Sequence, residues 1–319
     1  MDAGTPTTLL EAVRYFSDPN RCLAFMKNIR WPDGIVRCPI CGSDKVGFLA
    51  NQYRWQCNFR HPRRQFSAKV GTIFEDSPLG LDKWLPVVWL LTNCKNGISS
   101  YEVARDIDVT QKTAWFMLSR VRLAMQAGSF WGKLEGEIEA DETFIGGLAR
   151  NMHKDKKAKI TGTGGSGKEI VMGLLERETG QVRVKHVANQ RRRTLQAEIH
   201  DNVQPGSEIF TDALLSYEGL EPDFIHGFVD HAEQYVNGRV HTNGLENFWS
   251  LLKRTLKGTY ISVEPFHLFR YLDEQSFRYN NRKTTDADRF RQALSQTTGK
   301  RLTYKHLTGK NETKPPVLS

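Results

Sequence analysis

Three cysteines and one histidine between residues 38 and 61 constrain the fold of this chain more than any other feature. Cys38 and Cys41 stand in the stretch C-P-I-C-G, Cys57 ends the alternating segment Y-R-W-Q-C, and His61 follows it as C-x₃-H. A tight turn between two cysteines, followed by a strand that delivers a third, is typical of a zinc ribbon. Because Cys₃His is an accepted tetrahedral zinc set, we expect these four side chains to bind Zn²⁺.

The alternative is that these cysteines are reduced core residues and that His61 lies on the surface. We favour the zinc site, since two small turns flanked by Arg and Gln have little core to join. A module of about 30 residues would depend on its metal, because structural zinc contributes on the order of 10 kcal/mol to folding. Cys22 and Cys94 are predicted to be buried thiols, because five unevenly spaced cysteines do not suggest a disulfide framework.

The charge balance favours a polyanionic partner. Among 319 residues, 45 Lys and Arg outnumber 36 Asp and Glu, which gives a formal charge of +9 and a pI near 9.3. The excess alone is weak support for nucleic acid, because many basic proteins bind none. No run of about 18 apolar residues occurs and the N-terminus lacks the order of a signal peptide, so we expect a cytoplasmic protein without a membrane segment.

The region after the cysteines predicts a helix followed by a helix-turn-helix pair. Residues 82–93 have an amphipathic pattern, Ser99 or Ser100 caps the next helix, and Thr110 caps the last one. The outward face of that last helix is predicted to carry Gln111, Lys112, Arg120 and Arg122. Helix pairs of this kind are common without DNA, so the prediction gains weight only beside a zinc ribbon and a basic chain.

The pattern changes to strands after residues 128–133. Three consecutive strands are predicted over 135–147, 169–177 and 181–189, then a helix over 194–203 and a strand over 207–212. Three antiparallel strands, a crossover helix and a fourth strand is the order of an RNase H-like fold. We therefore expect a multidomain α+β and α/β protein, with a zinc ribbon, a helix-turn-helix region and an RNase H-like core of the retroviral-integrase type.

Two aspartates fall on neighbouring strands of this expected core. Asp141 lies within the first strand and Asp212 at the end of the fourth, where their side chains would meet. Carboxylate oxygens hold Mg²⁺ or Mn²⁺, and two such ions about 3.5–4 Å apart suit in-line phosphodiester displacement. Each aspartate alone has a structural explanation, because Asp141 belongs to an acidic run and Asp212 ends a strand. Their shared place in one fold favours a metal site.

A third carboxylate and a cation follow on a helix predicted over residues 240–258. Glu246 and Lys253 are seven residues apart, which at about 3.6 residues per turn returns to nearly the same helix face. Lys253 is therefore a candidate for binding DNA phosphate. Glu246 also stands three residues after Asn243, the spacing of a capping box, so a structural carboxylate is the alternative. A short hairpin fits between Asp212 and this helix.

The Gly-rich stretch 161–170 invites a nucleotide-binding interpretation. Gly162, Gly167 and Lys168 match the phosphate-binding loop G-x-x-x-x-G-K-[ST], but Glu169 stands where a hydroxyl should hold Mg²⁺. A predicted strand follows, where such a loop requires a helix. We expect a flexible connection and no bound nucleotide, and nucleotide binding with Lys168→Ala as control tests the alternative of a P-loop NTPase.

These segments together resemble the zinc-ribbon insertion-sequence transposases of bacteria that are related to the eukaryotic Merlin elements, the ISXO-type group. The resemblance extends from about residue 10 to 283 and is carried by C-P-I-C-G-S, R-R-Q-F-S-A-K-V-G-T-I-F-E-D-S, E-A-D-E-T-F-I-G-G, F-T-D-A-L-L-S-Y, H-T-N-G-L-E-N-F-W-S-L-L-K-R and F-R-Y-N-N-R. The Gly-rich stretch is then the connection between the first two core strands. One departure is C-N-F-R-H-P-R-R-Q-F, where the family's ribbon normally ends C-x-x-C-R-R-Q-F.

The resemblance implies a DDE-type catalytic core with Asp141 and Asp212 as metal ligands. The third catalytic residue stays open between Glu246 and Asn243, because members are described with Asn or His there as well as Glu. It further implies a transposase that binds double-stranded element ends and target DNA, cuts by hydrolysis, joins the freed 3′-hydroxyl, and acts as a homodimer or higher oligomer. The rivals are a domesticated, non-catalytic DNA-binding protein and a nuclease that never joins strands.

The predicted organisation is a helical lead-in over 1–30, a zinc ribbon over 31–76, a helix-turn-helix DNA-binding region over 82–127, a catalytic core over 134–283 and a C-terminal tail over 284–319. Disorder is expected in the Lys-rich loop 150–159 and after about residue 299. The predicted DNA contacts are Gln111, Lys112, Arg120, Lys154, Lys156, Lys157, Arg191, Arg192, Arg193, Lys253 and Arg254.

Overall fold

The computed structural model describes residues 5–126, 132–147, 165, 167–212, 215–229 and 241–309. Within them the helices are α1 Leu9–Phe16, α2 Pro19–Arg30, α3 Leu81–Asn93, α4 Ser100–Asp106, α5 Gln111–Met125, α6 Arg192–Asn202, α7 Asn243–Thr255, α8 Leu268–Asn280, α9 Asp286–Ser295 and α10 Tyr304–Thr308. The strands are β1 Val46–Leu49, β2 Arg54–Cys57, β3 Gln65–Phe66, β4 Glu137–Ile145, β5 Glu169–Glu176, β6 Val182–Val187, β7 Glu208–Asp212 and β8 Ile225–Val229.

The chain divides into two compact units. Both chain ends contribute to the first, Met1–Gln126 with Asn281–Ser319, and the second is Ala127–Asn280. In the first unit, α1 and α2 lie on either side of Asp18, within the helical lead-in predicted over residues 1–30. Asp18 caps α2 by accepting a hydrogen bond from the Asn20 N–H at 2.8 Å, and Pro19 takes the first helical position, where no N–H is needed.

The cysteine-rich segment folds around a small three-stranded antiparallel sheet in the order β1-β2-β3. Trp55 of β2 is buried, with its ring centroid 5.6 Å from that of Trp31 and 6.0 Å from that of Phe66. The apolar centre of this sheet is thus a few aromatic rings, which agrees with the expectation that the segment has little core of its own.

The predicted caps of the next helices are confirmed. Ser99 and Glu102 form a reciprocal capping box at the start of α4, and the Thr110 hydroxyl accepts a hydrogen bond from the Thr113 N–H at 3.2 Å at the start of α5. These interactions satisfy N–H groups that have no partner inside a helix, so short polar motifs fix where both helices begin.

The expectation of disorder beyond about residue 299 is wrong for the part that the structure describes, which reaches residue 309. Lys300 Nζ donates to the carbonyl oxygens of Leu123, Ala124 and Gln126 at 3.0, 3.3 and 3.2 Å. Helix α5 ends there, so its last carbonyl groups have no N–H partners within the helix. Leu302 and Leu307 are buried, the latter within α10. The segment is therefore part of the folded first unit.

The second unit is built on a five-stranded sheet in the order β6-β5-β4-β7-β8. Strands β4, β5 and β6 are antiparallel neighbours, α6 follows them in sequence, and β7 then pairs in parallel with β4. The predicted strands and the crossover helix are confirmed. After Asp212, β8 pairs in parallel with β7. The short hairpin expected between Asp212 and the helix stays a prediction, because residues 230–240 lie outside the described residues.

The sheet is buried on both faces, as the alternation of its side chains shows. Ala140 of β4 packs in one apolar cluster with Leu195 and Ile199 of α6. Val171 of β5 packs in another with Leu245 of α7, alongside further residues of α7 and α8. Since successive strand residues point to opposite faces, β4 presents Ala140 to one layer and its neighbours at positions 139 and 141 to the other.

Candidate functional site

Strands β4 and β7 bring two aspartates side by side. Glu137 lies opposite Glu208 and Glu139 opposite Phe210 in their parallel ladder. The ladder pairs end at Phe210, two residues before each aspartate, and continuing that register brings Asp141 towards Asp212, whose charge acts on Asp141. The sequence expectation that these side chains meet therefore agrees with the register of the sheet.

Charge accumulates around Asp141. Burial, together with the negative charges of Asp212 and Glu246, raises the pKa of Asp141 to about 6. Two hydrogen bonds oppose this effect: the Trp249 indole N–H donates to Oδ2 at 2.9 Å, and the Glu142 backbone N–H donates to Oδ1 at 2.8 Å. Three carboxylates thus share one electrostatic neighbourhood, which is the situation that a divalent cation relieves.

A glycine on β5 makes room for the Trp249 contact. Gly173 lies opposite Asp141 in the antiparallel ladder, and a Cβ atom there would stand only 2.6 Å from Cζ2 of Trp249. Any larger residue would push the indole away from the sheet. The sequence pattern did not indicate this donor role of Trp249.

Lys253 lies on the same helix, in a basic neighbourhood. Burial lowers its pKa, the negative charge of Asp141 opposes this, and the positive charges of Lys257 and Lys168 lower it further. Lys168 leads into β5 and packs against Gly146, where a Cβ atom would be 3.1 Å from its Cγ. The carboxylates are therefore accompanied by lysines from two parts of this unit.

The two candidates for the third catalytic residue both lie in the first turns of α7. Asn243 and Glu246 are exposed. The N-cap residue of the helix is Thr242, and its side chain forms no capping hydrogen bond with the first turn. The capping box considered as a structural explanation of Glu246 is thus not formed. Of the two, only Glu246 carries charge and acts on Asp141, while the assignment itself stays a prediction.

Glu142 is a further buried acid that sequence analysis did not single out. Its carboxylate accepts hydrogen bonds from the Tyr217 hydroxyl and from Gln190 Nε2, the latter at 3.1 Å. Burial, together with the charges of Asp212 and Asp141, raises the pKa of Glu142 to about 8. As the neighbour of Asp141 in a strand, Glu142 projects from the opposite face of the sheet, which is why it faces different partners.

The four predicted zinc ligands converge in the first unit. Each offers one ligand atom, and these atoms all lie within 4.8 Å of one another; the residues are Cys38, Cys41, Cys57 and His61. The Sγ atom of Cys38 is 3.4 Å from Nε2 of His61, and the Sγ atoms of Cys41 and Cys57 are 3.6 Å apart. A tetrahedron with Zn–S bonds of about 2.3 Å has edges of about 3.8 Å, so the four atoms form a possible zinc site.

Local hydrogen bonds favour the forms of Cys38 and His61 that bind a metal ion. Burial raises the pKa of the Cys38 thiol, but hydrogen bonds from the backbone N–H groups of Cys41 and Ile40 and from the neighbouring thiols outweigh it and bring the pKa to about 7. Nδ1 of His61 lies 2.7 Å from the carbonyl oxygen of Pro62. Such a contact fixes the tautomer that leaves Nε2 free to bind metal.

The predicted DNA contacts divide into several groups. Lys112, Arg191, Arg192, Arg193 and Arg254 are exposed, Gln111 and Lys253 are partly buried, and Lys154, Lys156 and Lys157 lie outside the described residues. Gln111 donates to the Ser100 hydroxyl at 2.8 Å, so it also joins the two helices of the pair.

The prediction that Arg120 and Arg122 face outward is wrong. Arg120 is 5% exposed and Arg122 only 1%. The Arg120 guanidinium donates to the carbonyl oxygens of Ile73, Glu75 and Leu302 at 3.1, 2.8 and 3.1 Å. Because the C-terminal segment covers this face of α5, Arg120 serves the packing of the first unit.

The nucleotide-binding alternative has no structural support. Lys168 is followed directly by strand β5, whereas a phosphate-binding loop needs a helix N-terminus there.

In the part of the chain that the structure describes, no helix is long and apolar enough to span a membrane.

Comparison with known proteins agrees with both units. Residues 133–280 match the ISXO2-like transposase domain, and residues 17–59 match the transposase zinc-ribbon domain. A protein of Halobacterium salinarum described as an uncharacterized protein in transposable element ISH50 is 30% identical over 260 residues, which is 76% of this chain and 85% of that protein. An uncharacterized transposase-like protein of Haemophilus influenzae is 32% identical over 96 residues, 30% of this chain and 77% of that protein.

A cysteine-rich ribbon and a mixed sheet carrying paired aspartates, together with these matches, define a transposase of an insertion sequence. The chain belongs to the ISXO2-like transposase family. His61 lies just beyond the matched ribbon.

Proposed function

We propose that this transposase cuts and joins DNA at a two-metal site formed by Asp141, Asp212 and Glu246. The observation that carries the proposal is the register of β4 and β7, which sets Asp141 beside Asp212, with Glu246 acting on the same carboxylate. Hard carboxylate oxygens are the ligands that Mg²⁺ and Mn²⁺ prefer, so the donor set fits the metal. When bound, two such ions would polarise the attacking water or 3′-hydroxyl and stabilise the leaving oxygen.

The residues of the chain have separate roles in this proposal. Trp249 holds the Asp141 carboxylate through its indole N–H, which orients an oxygen that would bind metal. Lys253 binds a phosphate of the DNA strand near the carboxylates, supported by the charges of Lys168 and Lys257. The sheet order β6-β5-β4-β7-β8 supports an RNase H-like fold for this unit.

DNA recognition is proposed for the first unit. The α4 and α5 pair supports a helix-turn-helix, with Lys112 exposed on α5. Zn²⁺ at the cysteine cluster holds the ribbon together.

The proposed phosphate contacts of the second unit are Arg191, Arg192, Arg193 and Arg254. Transposition requires two element ends held together, so we propose a dimer or higher oligomer on DNA in the bacterial cytoplasm.

The test uses the full chain and end-labelled DNA that carries the element's own flanks, with Mg²⁺ or Mn²⁺. Wild type is compared with Asp141→Asn and with Glu178→Gln, which removes an exposed carboxylate of the same unit. We expect nicked and joined products from wild type and Glu178→Gln, and none from Asp141→Asn. Cut but unjoined DNA would indicate a nuclease, and bound, uncut DNA that is identical for all three proteins would indicate a non-catalytic DNA-binding protein.

The third catalytic residue is tested in the same assay. Glu246→Gln removes the charge that acts on Asp141, and Asn243→Ala removes the neighbouring amide. If Glu246 binds metal, Glu246→Gln loses cleavage while Asn243→Ala retains it. The reverse result would assign the role to Asn243.

A further inference from the structure

Arg177 joins two glutamates of β4 just beyond the end of β5. Its Nε donates to Oε1 of Glu139 at 2.9 Å and its Nη1 donates to Oε2 of Glu137 at 3.1 Å. Glu139 is only 1% exposed, so its charge has little access to water and depends on these partners. Glu139 precedes Asp141 by two residues and therefore lies on the same face of the strand.

The same arginine reaches the strand that carries Asp212. The guanidinium carbon of Arg177 lies 4.1 Å from the ring centroid of Phe210, over its face. Phe210 stands two residues before Asp212 in β7. A guanidinium stacked on an aromatic ring and hydrogen-bonded at its edges is held in one orientation, because its donors are planar and fixed.

The third nitrogen of the Arg177 guanidinium reaches the start of α7. Nη2 of Arg177 donates to the carbonyl oxygen of His241 at 2.5 Å, and Oε2 of Glu139 accepts the backbone N–H of Leu245 at 3.0 Å. A buried carboxylate at a helix N-terminus satisfies an N–H without an intrahelical partner and complements the helix dipole. Gly244 permits this approach, because a Cβ there would lie 2.8 Å from Oε2 of Glu139.

We propose that Glu139 and Arg177 form a clamp that positions the three elements carrying Asp141, Asp212 and Glu246. The clamp contacts β4, β7 and α7 at once, and Glu139 holds Leu245, the residue before Glu246. Neither Glu139 nor Arg177 need touch DNA or metal, so both are positioning residues. This inference rests on the proposed function, since it assigns the clamp to that metal site.

The chemistry of the clamp explains why these residue types are needed. Lysine has a single charged nitrogen and cannot donate to Glu139, Glu137 and His241 along three directions while stacking on a ring. Glutamine keeps the shape and the acceptor of Glu139 but loses the charge that attracts Arg177 and complements the helix dipole. Arg177→Lys and Glu139→Gln are therefore conservative changes that weaken the clamp without opening a cavity.

The experiment has two readouts on the full chain. The first is backbone hydrogen exchange in residues 241–252, compared with exchange in β5 and α6. The second is Mn²⁺ affinity measured by electron paramagnetic resonance, with Asp141→Asn defining binding at the carboxylates. Lys185→Gln is the matched control, because it removes a 2.6 Å ion pair with Glu198 that joins β6 to α6 and involves neither β4, β7 nor α7.

We expect faster exchange confined to residues 241–252 and Mn²⁺ affinity lower by about 10-fold or more in Arg177→Lys and Glu139→Gln, with Lys185→Gln unchanged. Exchange and affinity equal to wild type would overturn the proposal. Protection lost uniformly across the second unit would overturn it too, because the pair would then support general stability. If wild type shows no Asp141-dependent Mn²⁺ binding, the proposed function fails, while exchange in 241–252 still decides whether the clamp fixes α7.

Discussion

At the scale of single residues, Asp141 shows how one carboxylate depends on its surroundings. Gly173 leaves the space that Trp249 fills, and the indole N–H then reaches Oδ2 of Asp141. The aspartate was found from its place in a strand, whereas the glycine and the tryptophan gained a role only when the register and the helix position were known. Periodicity identifies a buried face but does not show which side chains meet across it.

The raised pKa of Asp141 makes the stability of the metal-free protein depend on pH. Because burial raises that pKa from 3.8 to about 6, the folded state prefers the protonated acid, and stability is lost as pH rises through this window. Asp141→Asn should therefore be more stable than wild type in EDTA at pH 8 by about 3 kcal/mol, and so unfold at a higher temperature, and it should match wild type near pH 3.5. Thermal denaturation at both pH values measures the difference.

Metal should reverse this order. With Mn²⁺ present at pH 8, wild type gains stability by binding the ion and Asp141→Asn does not. A variant that is no more stable than wild type in EDTA at pH 8 would contradict the assigned burial of the charge.

Gly173→Ala tests the space beside Asp141. The added methyl would meet Trp249 Cζ2 at 2.6 Å, so we expect about 1–3 kcal/mol of destabilisation and a weakened Asp141 contact. Gly147→Ala is the matched control, since no atom of the described residues lies within 4 Å of its added Cβ. Urea denaturation with Mn²⁺ affinity in parallel checks both effects, and equal behaviour of the two variants would refute the argument.

At the scale of elements, the strands and helices differ in how far the sequence pattern predicts them. The strands β4 to β7 and the helix α6 followed from alternation and periodicity, because each buries one regular face. The failure at Arg120 has a physical cause: the periodicity of α5 identifies its faces, but not that the C-terminal segment supplies carbonyl oxygens to one of them. The parallel strand β8 was missed because a short strand at a sheet edge has a weak pattern.

The ribbon should unfold locally when its metal is removed. Trp55 is buried against neighbouring aromatic rings and lies close to Cys57 in the sequence. Removal of the metal by a chelator should therefore expose Trp55 and shift tryptophan emission to the red.

His61→Cys should retain one bound zinc per chain, because a thiolate replaces the imidazole, whereas His61→Ala should bind zinc more weakly. Metal content after dialysis measures this, and full zinc content in His61→Ala would show that His61 is not the fourth ligand.

At the scale of the whole molecule, the formal charge of +9 suits the proposed DNA binding, which should weaken steeply with salt. Lys112 is exposed on α5, with Nζ 4.8 Å from the Tyr304 ring centroid. If it contacts a phosphate, Lys112→Ala should reduce the slope of log affinity against log salt by about 1. Lys95→Ala, an exposed lysine with no proposed contact, should leave the slope unchanged in a fluorescence-anisotropy titration. An unaltered slope for Lys112→Ala would remove this residue from the interface.

The participation of both chain ends in the first unit also affects the order of events during synthesis. Phe290 of α9 is fully buried, with ring centroids 5.6 Å from Phe16 and 5.1 Å from Trp89. A nascent chain emerging from the ribosome can complete the sheet of the second unit before Phe290 has been made. The core of the first unit is therefore complete only after residue 290 has been synthesised, so a chain truncated before Phe290 could carry the sheet of the second unit without a complete first unit.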